Sequence, residues 1–186
     1  KKAIVTGATG FIGAAFVKLL TDKGIDVIAL GRKPITEVKD SRREKLAFAE
    51  YINLDMREIG SLHKRLHKIS WDVGAECVFF HLAWAGVDRL SDLDIEAQMK
   101  NVGWAVNALE QSVKIGCSRF IQIGTMEEAF AYKYLELDHN KNTQYNRHVI
   151  YSVAKIAAKN ALALKASSLD IDYIYVLHSH VMGGDD

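Results

Sequence analysis

The sequence predicts an α/β fold, a doubly wound parallel sheet with helices on both faces. Three observations carry this. A glycine-punctuated turn, Thr6-Gly7-Ala8-Thr9-Gly10-Phe11-Ile12-Gly13, joins an apolar run to an amphipathic one. Short apolar runs then alternate with helical periodicities along the chain. The runs Cys77-Val78-Phe79-Phe80 and Ile171 to Leu177 are apolar almost throughout, as strands covered on both faces should be.

The elements follow in order. Ala3-Ile4-Val5 marks a strand at 2–6, and Phe16, Val17, Leu19 and Leu20 mark the inner face of a helix at 11–22. Further strands are expected at 26–30, 50–54, 76–81, 119–124 and 171–177. Further helices are expected at 61–69, 91–114 and 151–167, with a weaker one at 40–47. The stretch 128–147 lacks clear periodicity, is rich in Tyr, Asn and Lys, and reads as a loop beside the active site. No repeat, low-complexity tract or linker divides the chain, so 1–186 reads as one domain with ample material for a core.

Charge and composition exclude several function classes. Lys and Arg number 24 against 23 Asp and Glu, a net charge of +1 that supplies no field for nucleic acid or an anionic membrane. No apolar run is long enough to span a bilayer, and no signal-peptide pattern opens the chain. Cys77 and Cys117, embedded in apolar surroundings, do not make a disulfide framework, which places the expected compartment in the reducing cytoplasm.

The glycine turn carries the first chemistry. Gly7 permits the tight turn, Gly10 lets the backbone approach a pyrophosphate, and Gly13 lets the helix pack closely on the strand. The helix N-terminus then presents N–H groups to an anion. A second pattern is Tyr151-Ser152-Val153-Ala154-Lys155, which sets a phenol and an ammonium one helical turn apart on one face. A neighbouring ammonium favours phenolate and is expected to bring Tyr151 toward neutral pH, where it exchanges a proton with a carbinol or ketone.

Taken together, the chain resembles the extended short-chain dehydrogenase/reductase family, the NAD(P)-dependent nucleotide-sugar epimerases and dehydratases of Rossmann fold. The resemblance spans the whole chain. It rests on the glycine turn, Asp55 after the third strand, His81-Leu82-Ala83 after the fourth, Asn101-Val102 in the long helix, Thr125 after the fifth strand, and the Tyr151–Lys155 motif. It implies a catalytic set of Thr125, Tyr151 and Lys155, with Thr125 donating to the substrate oxygen and Lys155 also bonding the nicotinamide ribose. It implies cofactor contacts from Gly7, Thr9, Gly10, Phe11, Ile12 and Gly13. Asp55 would accept from the adenine amino group with Met56 packing nearby, Leu82 and Ala83 would line the crevice, and Asn101 would brace it. Relatives that bind NAD carry an acid at the end of the second strand, where this chain has Gly31 followed by Arg32 and Lys33. The missing acid, and an Arg32 able to pair with a 2′-phosphate, favour NADP over NAD; an exposed Arg that is simply solvated reads nearly as well.

Departures from the family pattern narrow the reaction. Dehydratases place Asp and Glu after the catalytic Thr, whereas this chain reads Thr125-Met126-Glu127-Glu128, and Met126 cannot protonate a leaving hydroxyl. Glu127 remains available as an acid or base, and a solvent-facing carboxylate reads equally well. His180 stands where the family has an Asn that touches the sugar nucleotide, and a satisfied polar residue at a strand end reads slightly better. The pairs His178/His180 and His63/His67 lack a third convergent ligand, so no metal is expected. The family continues past this point into a further strand and a smaller substrate region, which is absent from this chain. The expected activity is hydride transfer at a carbinol or ketone of a nucleotide-linked sugar, by reduction or epimerisation, with Tyr151 as proton carrier. The alternative is a dinucleotide-binding sensor or scaffold without turnover. Apolar residues beyond one stripe in 91–114 and 151–167, among them Trp104, Val106, Leu109, Ile156, Ala157, Leu162 and Leu164, suggest a homodimer through those helices, as in the family.

Overall fold

The computed structural model describes residues 1–69, 71, 76–86, 94–135 and 148–183. Six strands form one parallel sheet: β1 (Lys2–Thr6), β2 (Asp26–Gly31), β3 (Glu50–Asn53), β4 (Cys77–His81), β5 (Arg119–Ile123) and β6 (Asp172–Val176). Their spatial order is β3-β2-β1-β4-β5-β6. The chain therefore winds outward from β1 through β2 to β3, then returns to lay β4 against the other side of β1. That reversal opens a crevice at the carboxyl ends of β1 and β4, the usual ligand position in such sheets.

The helices are α1 (Phe11–Asp22), α2 (Asp40–Arg43), α3 (Leu62–Lys68), α4 (Ile95–Ile115), α5 (Ala131–Leu135) and α6 (Val149–Ser168). Strand alternation divides the core in two. Ala3, Val5, Val27 and Ala29 face α1, where Ala14 and Val17 pack on them. Ile4, Ile28, Phe79 and Phe120 face the other way, onto Leu109 of α4 and Leu162 of α6. Phe79 and Phe120 stack with centroids 5.2 Å apart, joining β4 to β5 under the helices. Cys77 and Cys117 are free thiols buried in this second layer, with Sγ atoms 3.4 Å apart.

Two glycines make the first crossover possible. Gly7 has φ of 69°, and a Cβ there would stand 2.9 Å from the Ala83 nitrogen. A Cβ on Gly13 would meet the Gly7 carbonyl, with Gly7 C at 2.8 Å and Ala8 Cα at 2.9 Å, so helix and turn touch backbone to backbone.

Two expectations change. Among the described residues, the strand expected over 171–177 lies at the sheet edge, with β5 on one side. Tyr173 and Tyr175 turn toward α6, while Ile174 and Val176 remain 39% exposed, so the described residues do not cover β6 on both faces. An apolar run does not distinguish one covered face from two. The stretch expected to be a loop begins as a 3-10 turn at Met126–Phe130 and continues into α5, because Thr125 and Glu128 form a capping box that nucleates it; 136–147 lie outside the described residues. Helix α4 ends at Gly116, whose φ of 91° terminates it, and its expected start at 91–93 lies outside the described residues.

Gly13→Ala should destabilise the domain by about 1–3 kcal/mol, since the obstructing atoms are backbone and cannot rotate away. Urea unfolding checks this, and a loss below about 0.5 kcal/mol would show that α1 does not pack on the turn as described.

Candidate active site

The crevice floor is set by one hydroxyl. Thr6 Oγ1, at the end of β1, accepts from the backbone N–H of Leu82 and of Ala83, each at 3.1 Å. Both acceptor positions being filled, its own hydrogen goes to His81 Nδ1 at 3.0 Å. His81 therefore carries its hydrogen on Nε2, and complete burial holds it neutral by pushing its pKa down to about 3. The turn at Leu82 and Ala83 is thereby pressed against Gly7. Asn101, 3% exposed on α4, accepts from Ala85 N at 2.8 Å and donates to Ala85 O at 3.2 Å, bracing the same segment. On the other side, Gly10 begins α1 with no side chain capping it, leaving the first N–H groups, those of Phe11 and Ile12 among them, at the crevice mouth.

A basic rim lies beyond β2. Arg32 and Lys33 are exposed, and Arg42 of α2 donates to the Thr9 carbonyl of the glycine turn at 3.2 Å. A Cβ on Gly31 would collide with the Tyr51 phenol, itself hydrogen-bonded to Lys33 O. The phenol takes the space an acidic side chain would need. Asp55 caps the turn that begins at Met56: its Oδ1 accepts from Arg57 N at 2.9 Å, and the Arg57 guanidinium pairs with it at 3.0 Å. That pairing holds the Asp55 carboxyl below its ordinary pKa, with the Arg32 charge adding to it. Met56 packs on the second core layer.

The third group forms where β5 meets α6. Thr125 follows β5, and its hydroxyl is hydrogen-bonded to that of Tyr151. Lys155, one turn along and 6% exposed, donates to the Ile123 carbonyl at 3.0 Å. Burial pushes Lys155 down to about 8, against the opposing pull of Glu128. Tyr151 departs from expectation. Its pKa is raised above 10 because burial, reinforced by Glu128 and Glu127, outweighs the Thr125 bond. The ammonium lies 5.8 Å from the phenol's ring and does not bring it toward neutrality.

The remaining candidates divide. Glu127 sits beside the cluster with an oxygen 3.2 Å from His148 Nδ1, so it is not a plain solvent-facing carboxylate. His180 is exposed and, among the described residues, makes none of the contacts that join Thr125, Tyr151 and Lys155. Among the described residues no three His, Cys, Asp or Glu stand together as a metal site, and no helix is long and apolar enough to cross a membrane. The sequence reading passed over Glu128, which accepts from Thr125 N at 3.1 Å and from the Tyr175 phenol. The Thr-x-x-Glu spacing of a capping box was its available signal.

A family model described as the NAD dependent epimerase/dehydratase family matches residues 3–185. The chain belongs to that family. Among curated proteins it is 30% identical over 131 residues to the uncharacterized protein YbjS of Escherichia coli K12, covering 70% of this chain and 36% of that one. The fold is shared with the Bordetella bronchiseptica enzyme WbmH, solved with NAD+, at a TM-score of 0.69 and 18% identity over 98% of this chain and 57% of that one. It is likewise shared with the UDP-glucose 4-epimerase of Thermotoga maritima, solved with UDP-glucose, at a TM-score of 0.67 and 20% identity over 94% of this chain and 54% of that one. The chain thus spans little more than a third of the curated relative and about half of these structures.

His81 generates a pH prediction. Its folded pKa lies below the unfolded value of 6.5, so the unfolded chain binds the extra proton. The stability it contributes is complete above pH 6.5 and is lost as pH falls from there toward 3. Between about pH 6 and 5 the urea-unfolding free energy should fall with a slope approaching 1.4 kcal/mol per pH unit more than in His81→Asn. Equal slopes in the two proteins would contradict the neutral, buried imidazole.

Proposed function

We propose that residues 1–186 form the dinucleotide-binding domain of an NADP-preferring oxidoreductase or epimerase that acts on a nucleotide-linked sugar. The observation that carries this is the convergence, at one end of the sheet, of the glycine turn, closely packed at Gly7 and Gly13, with the Thr125–Tyr151–Lys155 cluster. Family membership and the two solved relatives, one holding NAD+ and the other UDP-glucose, support the same reading.

The chain's residues fit a dinucleotide at both ends. Gly7 and Gly13 let the turn close on the Leu82–Ala83 backbone and on α1, and Gly10, at the start of α1, presents no side chain to a pyrophosphate. The start of α1 offers N–H groups to its charge. At the adenosine end the Tyr51 phenol stands where a ribose-binding acid would be, and Arg32 flanks it, which favours a 2′-phosphate. When bound, the nicotinamide supplies or takes up hydride at a sugar carbon. Tyr151 gives or receives the proton at that carbon's oxygen, and Thr125 turns its single hydroxyl hydrogen either to that oxygen or to the phenol. Lys155 supplies positive charge beside them, still mostly protonated at neutral pH. Met126 in place of a dehydratase acid favours reduction or epimerisation over loss of water.

The purified protein should yield NADP(H) on extraction and mass spectrometry, and should bind NADPH at least tenfold tighter than NADH. Arg32→Ala should remove most of that preference while leaving NADH binding unchanged. Preferential recovery of NAD would overturn the NADP assignment alone. Tyr151→Phe should keep NADPH binding and lower turnover of nucleotide sugars by about 10²–10⁴-fold. NADPH binding without turnover of any nucleotide sugar, indifferent to that substitution, would favour the sensor reading.

We also propose a homodimer through α4 and α6. Leu109 and Leu162 are wholly buried in the core and drop out of the expected interface. Leu164 is 76% exposed on α6, and Trp104, Ile156 and Ala157 are half-buried. Sedimentation should find a dimer at micromolar concentration that Leu164→Lys dissociates; a wild-type monomer would defeat the proposal.

A further inference from the structure

Beside the Tyr151–Lys155 pair stands an aromatic ring with no part in the reading above. Trp84 follows the Leu82–Ala83 turn, and its Nε1 donates to Gln98 Oε1 at 2.8 Å. Gln98, on α4, is 4% exposed, and its Nε2 donates to Gly86 O at 3.3 Å. The amide is held at both ends, so the indole it binds is aimed. The ring centroid lies 4.0 Å from Lys155 Nζ. The Tyr151 ring stands nearly perpendicular to it, at 87° and 6.0 Å. An indole is the best aromatic partner for an ammonium. Lys155 has three N–H groups and gives one to Ile123 O. At 6% exposure little water is left to serve the others.

We propose that Trp84 is a positioning residue for this pair: its π face, aimed by Gln98, holds the Lys155 ammonium in the crevice, and its ring limits where Tyr151 can turn. The inference deepens the function proposed above and rests on it for its consequence, although the contact itself can be tested without cofactor. Among the described residues, the groups facing Lys155 are few. The end of β4 presents the neutral His81, the turn after β5 presents Glu128, and α6 presents Tyr151 and Lys159. The phenol of Tyr175 on β6 is bonded to Glu128, and among the described residues α4 presents the uncharged Gln98, bonded to Trp84, and Asn101, bonded to Ala85. Burial disfavours the ammonium, while Glu128 favours it. The π face adds to the favourable side, so removing the ring while keeping the site apolar leaves burial less opposed.

Competitive acetylation of the intact chain with acetic anhydride across pH, mapped to the Lys155 peptide by mass spectrometry, reads the amine's midpoint directly. Trp84→Leu should lower that midpoint by about one pH unit, and Trp84→Phe should recover at least half of the shift. Gln98→Leu, which keeps the ring but releases it, should lower the midpoint by a smaller amount. If Trp84 only fills space, all three variants will keep the wild-type midpoint, and the proposal falls. Should Trp84→Leu fail to fold, Gln98→Leu decides alone: a lowered midpoint supports the proposal and an unchanged one overturns it. NADPH titration of the same proteins separates the two readings. A wild-type chain that binds no NADPH would overturn the dinucleotide assignment, while the acetylation midpoints still decide the role of Trp84.

Discussion

The hydroxyl of Thr6 is the junction on which the rest of the site depends. It joins the carboxyl ends of β1 and β4, the two strands between which the winding direction reverses. Because it accepts two backbone N–H groups, it must donate to His81, and this fixes the imidazole as the neutral Nε2–H form. The same bonds draw Leu82 and Ala83 over the β1 turn, and that approach excludes any side chain at position 7. Losing the hydroxyl would leave the buried His81 ring and the part-buried N–H groups of Leu82 and Ala83 without this partner, at about 1–3 kcal/mol for each left unsatisfied. Trp84 and the Ala85 segment braced by Asn101 take their positions from this turn.

Parallel pairing explains why residues so distant in sequence converge. Every strand runs the same way, so every strand-to-helix turn opens at the same end of the sheet. The glycine turn, the Gly31–Lys33 rim, Asp55, the Leu82–Ala85 segment and the Thr125 cap are the successive products of that geometry. Helix α6 then returns beside them, bringing Tyr151 to Thr125 and Lys155 to Ile123 O. Packing of α6 on the sheet through Leu162 and Ala158 is therefore also what holds the Thr125–Tyr151–Lys155 cluster in register.

How much of this was legible follows the range of each interaction. Strand and helix order could be read because apolar runs and 3.6-residue periods are local, and the elements fall where those patterns place them. The glycine turn was legible for the same reason, as its spacing specifies its own geometry. The covering of β6 was not, since Ile174 and Val176 read as core residues whether or not a layer lies over them. The 3-10 turn after Thr125 was too short for a period to show, although its capping pair was written at Thr125 and Glu128. Asp55 illustrates a local competitor: Arg57, two residues on, occupies the carboxylate that the resemblance assigns to adenine. Trp84 gave no signal at all, because its meaning comes from Gln98 and Lys155, residues on two other elements.

The Tyr151 shift shows most clearly what spacing alone misjudges. A phenol one helical turn from an ammonium reads as activated, yet burial acts on both groups and disfavours charge on each. It raises the phenol and lowers the amine, so that Lys155 gives up its proton before Tyr151 does. Thr125 pulls the phenol toward ionisation, and Glu127 and Glu128 push it back. The resting site therefore holds a neutral phenol beside an ammonium kept charged by Glu128 and, on the inference above, by the face of Trp84. Under the proposed function such a site starts with the proton on the phenol, the form that reduction of a ketone requires, but the raised pKa makes that phenol a weaker acid than a free one. Running it in reverse, as a base toward a carbinol, needs additional positive charge near the phenol, and that charge must arrive with whatever fills the crevice.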